Sequence, residues 1–105
     1  MRTKKKKTID ALEYFDKHKG PLSLSRAVIA FREADGISQA AFARKLGVGR
    51  SYLSNLENSR LLVSPSQAAR IAKALRQPQD FFIKLALDDK LRSEGLRFTV
   101  SLSAA

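Results

Sequence analysis

Cysteine and tryptophan are absent from this 105-residue sequence, and histidine and methionine occur once each, as His18 and Met1. Without cysteine there are no disulfides, thiolate metal ligands or cysteine nucleophiles. A lone histidine between Lys17 and Lys19 offers no acid–base or nucleophilic constellation, so an enzyme is not expected. Asp88 and Asp89 are neighbours; on a helix they point in different directions and make no catalytic pair. No metal and no cofactor are expected. Long apolar runs are also missing: none approaches the roughly 20 residues that span a bilayer, so no membrane partner is expected. No apolar segment follows the basic start, which argues against a secretory leader, and the expected location is the cytoplasm.

Acidic residues are scarce as well. Ten Asp and Glu face twenty Lys and Arg, a formal charge of +10. The excess is uneven. Residues 1–19 carry +4, residues 20–35 and 80–105 cancel, and residues 36–79 carry +6, with Glu57 their only acid. Such a field attracts polyanions, nucleic acid ahead of membrane, because no basic helix with bulky apolar anchors accompanies it.

What is present is mostly helical patterning in a chain long enough for one core. Residues 1–7, "MRTKKKK", read as a disordered basic tail that solubilises the chain, tracks phosphates or binds a partner. Residues 8–22 read as an N-terminal helix and linker, with Thr8 as cap, Ile9, Leu12 and Phe15 at helical spacing, and Gly20-Pro21 as stop. Residues 23–94 contain further helical patterns. The first starts at Ser23 or Ser25 and runs to Asp35-Gly36, with Leu24, Ala27, Val28 and Phe31 inward. Ser38 caps the next, with Phe42, Ala43 and Leu46 inward and Gly47 as the turn residue. A third places Leu53 and Leu56 inward and Arg50, Ser51, Ser54 and Asn55 outward. A fourth begins with Pro65 and runs to Pro78, and a fifth runs from Gln79 to Gly95.

Residues 95–105 break this pattern. "LRFTVSL" alternates Leu96, Phe98, Val100 and Leu102 with polar residues, the period of a short C-terminal β-strand. A lone strand leaves its backbone unpaired. It therefore pairs with the same strand of another copy, meets the sheet edge of a different protein, or lies loosely on its own domain.

The stretch "SQAAFARKLGVGRSYLSNLE", Ser38 to Glu57, joins two short helices with almost nothing between them. A tight turn sets them at a steep angle, which is how a second helix is offered to a DNA major groove roughly 12 Å wide. Arg pairs two-pronged with guanine, Asn with adenine, and Ser serves several partners. Gln39 follows the Ser38 cap at a helix N-terminus, a place suited to holding a phosphate.

Residues 24–76 resemble the lambda-repressor-like, or XRE-type, helix-turn-helix family in this stretch and in "SPSQAARIAKAL". The implied fold is all-α: a lambda-repressor-like five-helix domain, here with the extra N-terminal helix and the C-terminal strand. The resemblance implies base contacts from Gly49, Arg50, Ser51 and Asn55. It puts Gln39, Asn58 and Arg60 on phosphates, and Arg44 is expected to join them. It also implies a structural ion pair between Arg32 and Glu57; the alternative is two solvated side chains. Two departures stand out: Gly49 replaces the usual Ser or Thr, and Ser59 replaces a common Gly.

The wider chain, through "GPLSLSRAVIAFREADGISQAAFARKLGV", "VSPSQAARIAKAL" and "LRFTVSL", is similar to XRE antitoxins of the HigA type. That resemblance implies a homodimer on double-stranded DNA with a palindromic operator, repression of its own operon, and neutralisation of a small basic ribonuclease toxin of the RelE or HigB kind. The expected location is the cytoplasm, in association with the nucleoid, and the alternating segment read above supplies the dimer or partner strand through Leu96, Phe98, Val100 and Leu102. A plain phage-type repressor and a protein-interaction module that no longer reads DNA are the other readings.

Overall fold

The computed structural model describes residues 22–105. The expected N-terminal helix at 8–22 and the basic tail fall almost wholly outside them. Among the described residues five helices follow in order: α1 (Leu24–Asp35), α2 (Gln39–Leu46), α3 (Arg50–Glu57), α4 (Pro65–Ala74) and α5 (Gln79–Ser93).

Local chemistry sets most of these boundaries. Ser23, Ser38 and Ser64 are N-caps in extended backbone, and their hydroxyls accept from the amides of Arg26, Ala41 and Gln67. Pro65 opens α4, where its missing N–H costs nothing. That helix stops at Ala74, short of Pro78, because the chain turns over at Leu75 and Arg76 is left-handed at φ 56°.

The apolar faces converge on one core whose largest fully buried side chains are Phe42, Phe82, Leu24, Leu53, Ile71 and Val28. The rings of Phe31 and Phe82 tilt against each other at 5.9 Å and join α1 to α5, while α4 packs most extensively on α5. A carboxylate completes the bracing of α1: Asp89 on α5 accepts from the Leu24 amide at 3.1 Å and from Arg92 at 2.6 Å. Burial pushes the Asp89 carboxyl above its ordinary range.

The expected C-terminal β-strand is corrected. Among the described residues there is no strand, and residues 96–105 form neither helix nor turn. The segment runs back along α5: the Leu96 amide donates to the Leu91 carbonyl, the Val100 amide donates to Asp88 at 2.7 Å, and Leu102 lies near Phe81. A strand is defined by a ladder, and a single chain with no second extended segment among its described residues has nothing to build one from.

Candidate nucleic-acid interface

The turn between α2 and α3 consists of Gly47, Val48 and Gly49. Gly47 has φ 73°, and its amide and that of Val48 return to carbonyls at the end of α2, closing that helix within one residue. A side chain at Gly47 would meet nothing within 4 Å, so the demand for glycine there comes from the dihedral alone. Gly49 is the N-cap of α3 in extended backbone and makes no side-chain cap bond. Leu53 and Leu56 seat α3 on the core, which leaves Arg50 and Ser51 exposed and Ser54 and Asn55 half-exposed. Half-buried Tyr52 packs against the core, and burial raises its hydroxyl pKa.

Glu57 anchors the far end of α3. Arg32 reaches it from α1 in a two-pronged pair, Nε to Oε2 at 2.7 Å and Nη2 to Oε1 at 3.0 Å. Gln39 reaches it from α2, Nε2 to Oε1 at 2.9 Å. Another guanidinium nitrogen of Arg32 donates to the Ile37 carbonyl at 3.3 Å. The Glu57 side chain is 6% exposed and that of Arg32 22%. One carboxylate thus ties three helices together, and its hydrogen bond raises the Arg32 pKa above its already high value.

The remaining candidates sit around this anchor. Gln39 is half-buried and turned toward Glu57, with one amide hydrogen not used in that bond. Arg44 is exposed on α2, and Arg60 is exposed just past α3, its amide bonded to the Asn55 carbonyl. Asn58 caps α3 by donating from Nδ2 to the Ser54 carbonyl at 2.9 Å. Arg50, Ser51 and Asn55 therefore share one exposed face, with Arg44 and Arg60 on neighbouring elements, whereas Gln39 and Asn58 are engaged within the protein.

A helix-turn-helix family model matches residues 28–81, just over half of the chain. The chain belongs to the helix-turn-helix family. No curated protein and no solved structure matches it. This helix-turn-helix protein is a DNA-binding transcription regulator of the XRE type. Among the described residues, no helix is long and apolar enough to cross a membrane.

One group escaped sequence reading. Ser59 has φ 57°, a left-handed backbone that favours glycine, yet its hydroxyl lies 3.0 Å from that of Ser25, which is 7% exposed; Ser25 in turn lies 3.2 Å from Ser23. The hydroxyl ties the loop after α3 to the start of α1. These serines, Asp89 and Arg92 line a cleft of about 310 Å³ beside the loop. Ser59→Ala keeps the backbone strain and loses the hydroxyl, while Ser59→Gly loses the hydroxyl and relieves the strain. Denaturant titration is expected to find the alanine variant less stable than the glycine variant by about 1 kcal/mol. Equal midpoints would remove the strain argument.

Proposed function

We propose that this regulator is a sequence-specific repressor that binds a palindromic operator as a homodimer. It acts by binding alone, in the cytoplasm and on the nucleoid. The exposed face at the start of α3 carries this reading: Arg50 and Ser51 are exposed in the first turn, Asn55 follows one turn later, and the helix beneath them is clamped by Glu57. Rigid support matters because a base-reading helix must present its side chains in fixed register. Arg50, Ser51 and Asn55 read base edges, with Gly49 allowing close approach at the helix start. Arg44, Arg60, Asn58 and the second amide hydrogen of Gln39 hold phosphates, and a dimer places two such helices ~34 to 36 Å apart.

We further propose that the protein is an antitoxin that represses its own operon and neutralises a RelE- or HigB-like ribonuclease. The resemblance of the wider chain, through residues 20–48, 63–75 and 96–102, to HigA-type antitoxins supports this, as do the exposed apolar side chains at Leu96, Phe98 and Leu102, which suit a protein partner.

Selection of bound fragments from genomic DNA tests the first reading, and identification of co-purifying proteins the second. A two-fold site upstream of the protein's own gene is expected, with a small basic ribonuclease alongside; no enriched site would refute the repressor, and no such ribonuclease the antitoxin. On the enriched site, Arg50→Ala should cost about 1–3 kcal/mol and relax base preference, while Arg60→Ala should weaken specific and random DNA alike. Equal losses on both DNAs for both variants would overturn the division between base and phosphate contacts.

A further inference from the structure

Arg60 is exposed, and among the described residues its side chain makes no hydrogen bond or ion pair, so nothing at the side chain itself fixes where its charge sits. Its backbone does that. The amide of Ser59 returns to the Leu56 carbonyl at 3.1 Å and the amide of Arg60 to the Asn55 carbonyl at 2.8 Å, the paired bonds of a Schellman ending. That ending needs a left-handed residue, and at φ 57° Ser59 adopts the dihedral at a cost that a glycine would not carry. The serine hydroxyl makes a contact that a glycine could not: it lies 3.0 Å from the hydroxyl of Ser25, in the first turn of α1. Ser25 is itself fixed. It is 7% exposed, its hydroxyl lies 3.2 Å from that of the Ser23 cap, and the Leu24 amide beside it is held by Asp89 of α5 at 3.1 Å.

We infer that the Ser25–Ser59 hydroxyl pair is a latch that places Arg60 for its phosphate, which makes the buried Ser25 of α1 a positioning residue for DNA binding. This rests on the repressor reading proposed above, in which Arg60 holds a phosphate, and names what sets that contact. Arg60 follows Ser59 directly, so the left-handed dihedral at Ser59 fixes the direction in which the chain leaves α3. The next ties to the core come only at half-buried Leu61 and at Val63, which is 7% exposed. A strained dihedral persists where its surroundings hold it, and the hydroxyl pair is the side-chain bond that holds this one. Without it the backbone can relax toward lower-energy dihedrals, and a side chain as long as arginine carries any such rotation out to its guanidinium. Phosphate contacts set register on the duplex without reading sequence, so loosening here weakens binding to every sequence. Neither serine needs to touch DNA: Ser25 is buried, and the Ser59 hydroxyl is engaged by it.

Ser25→Ala, Ser59→Ala and Ser59→Gly each remove the pair. In the full chain, each is expected to weaken binding about three- to tenfold on the enriched site and on random duplex DNA alike, with a flatter salt dependence. Positioning and stability separate in the two Ser59 variants. The glycine variant is expected to be the more stable, so affinity that merely followed stability would spare it, whereas the latch predicts a loss in both. In an Arg60→Ala background all three changes should cost less than about twofold, because the arginine they place is gone, and Ser25→Ala combined with Ser59→Ala should bind no worse than either alone. Unchanged affinity in the single variants, a loss confined to Ser59→Ala, or a loss that persists in full without Arg60 would overturn the latch. Binding that is indifferent to Ser25 and Ser59 refutes the latch alone, whereas a wild type that binds no duplex refutes the repressor reading and the latch together.

Discussion

Glu57→Ala is expected to lower the stability of the domain by about 2–4 kcal/mol, which for a domain of this size moves the thermal midpoint by roughly 10–20 °C. The reasoning starts from burial. The carboxylate is almost fully enclosed and accepts from Arg32 and Gln39, so truncation leaves a partly buried guanidinium with only the Ile37 carbonyl. The upper end of the range for broken buried pairs is not expected, because Arg32 keeps some contact with water. Replacing both partners, as in Arg32→Met with Glu57→Leu, should recover most of the loss, since the cost lies in stranding one charge. Calorimetry on the single and double variants checks this. A single variant that melts within 2–3 degrees of wild type would show that Glu57 does not anchor α3. Specific DNA affinity should fall with it, because α3 loses its hydrogen-bonded ties to α1 and α2 and keeps only its apolar packing.

A still larger change is expected from salt alone. Residues 36–79 carry a net +6 around the candidate interface, and each phosphate neutralised by a cation releases condensed counterions. With about six phosphates engaged, affinity for duplex DNA should fall roughly a thousandfold between ~50 and ~200 mM monovalent salt, and the logarithmic plot should be linear. Fluorescence anisotropy across that range gives the slope. Arg60→Ala and Arg44→Ala should each flatten it by about one unit, while Glu57→Ala should leave it nearly unchanged. A wild-type slope near zero would mean that the positive field serves solubility and that the exposed face of α3 does not meet a duplex.

Helix starts and turns could be read from the chain because their causes are local. Ser23, Ser38 and Ser64 each bond an amide three residues on, Pro65 fits only a first turn, and Gly47 adopts a left-handed dihedral its neighbours would resist. The inward residues Phe42, Leu53, Leu56 and Ile71 were legible for the same reason, since a period of 3.6 puts them on one face. The end of α4 was not: Pro78 marks where a helix must have stopped, and the chain had already turned at Leu75 and Arg76.

The sequence by itself determined the helices, the turn at Gly47, the positive field and the short polar face of α3, because each follows from neighbours along the chain or from composition. Tertiary structure decided which side chains meet. Gln39 and Glu57 are 18 positions apart, Ser25 and Ser59 are 34, and Leu24 and Asp89 are 65. Helix crossing angles set by core packing, rather than spacing along the chain, bring those pairs within bonding distance. The alternation in residues 96–102 was local and legible too, but a strand requires a partner's backbone, which no single chain's pattern can supply.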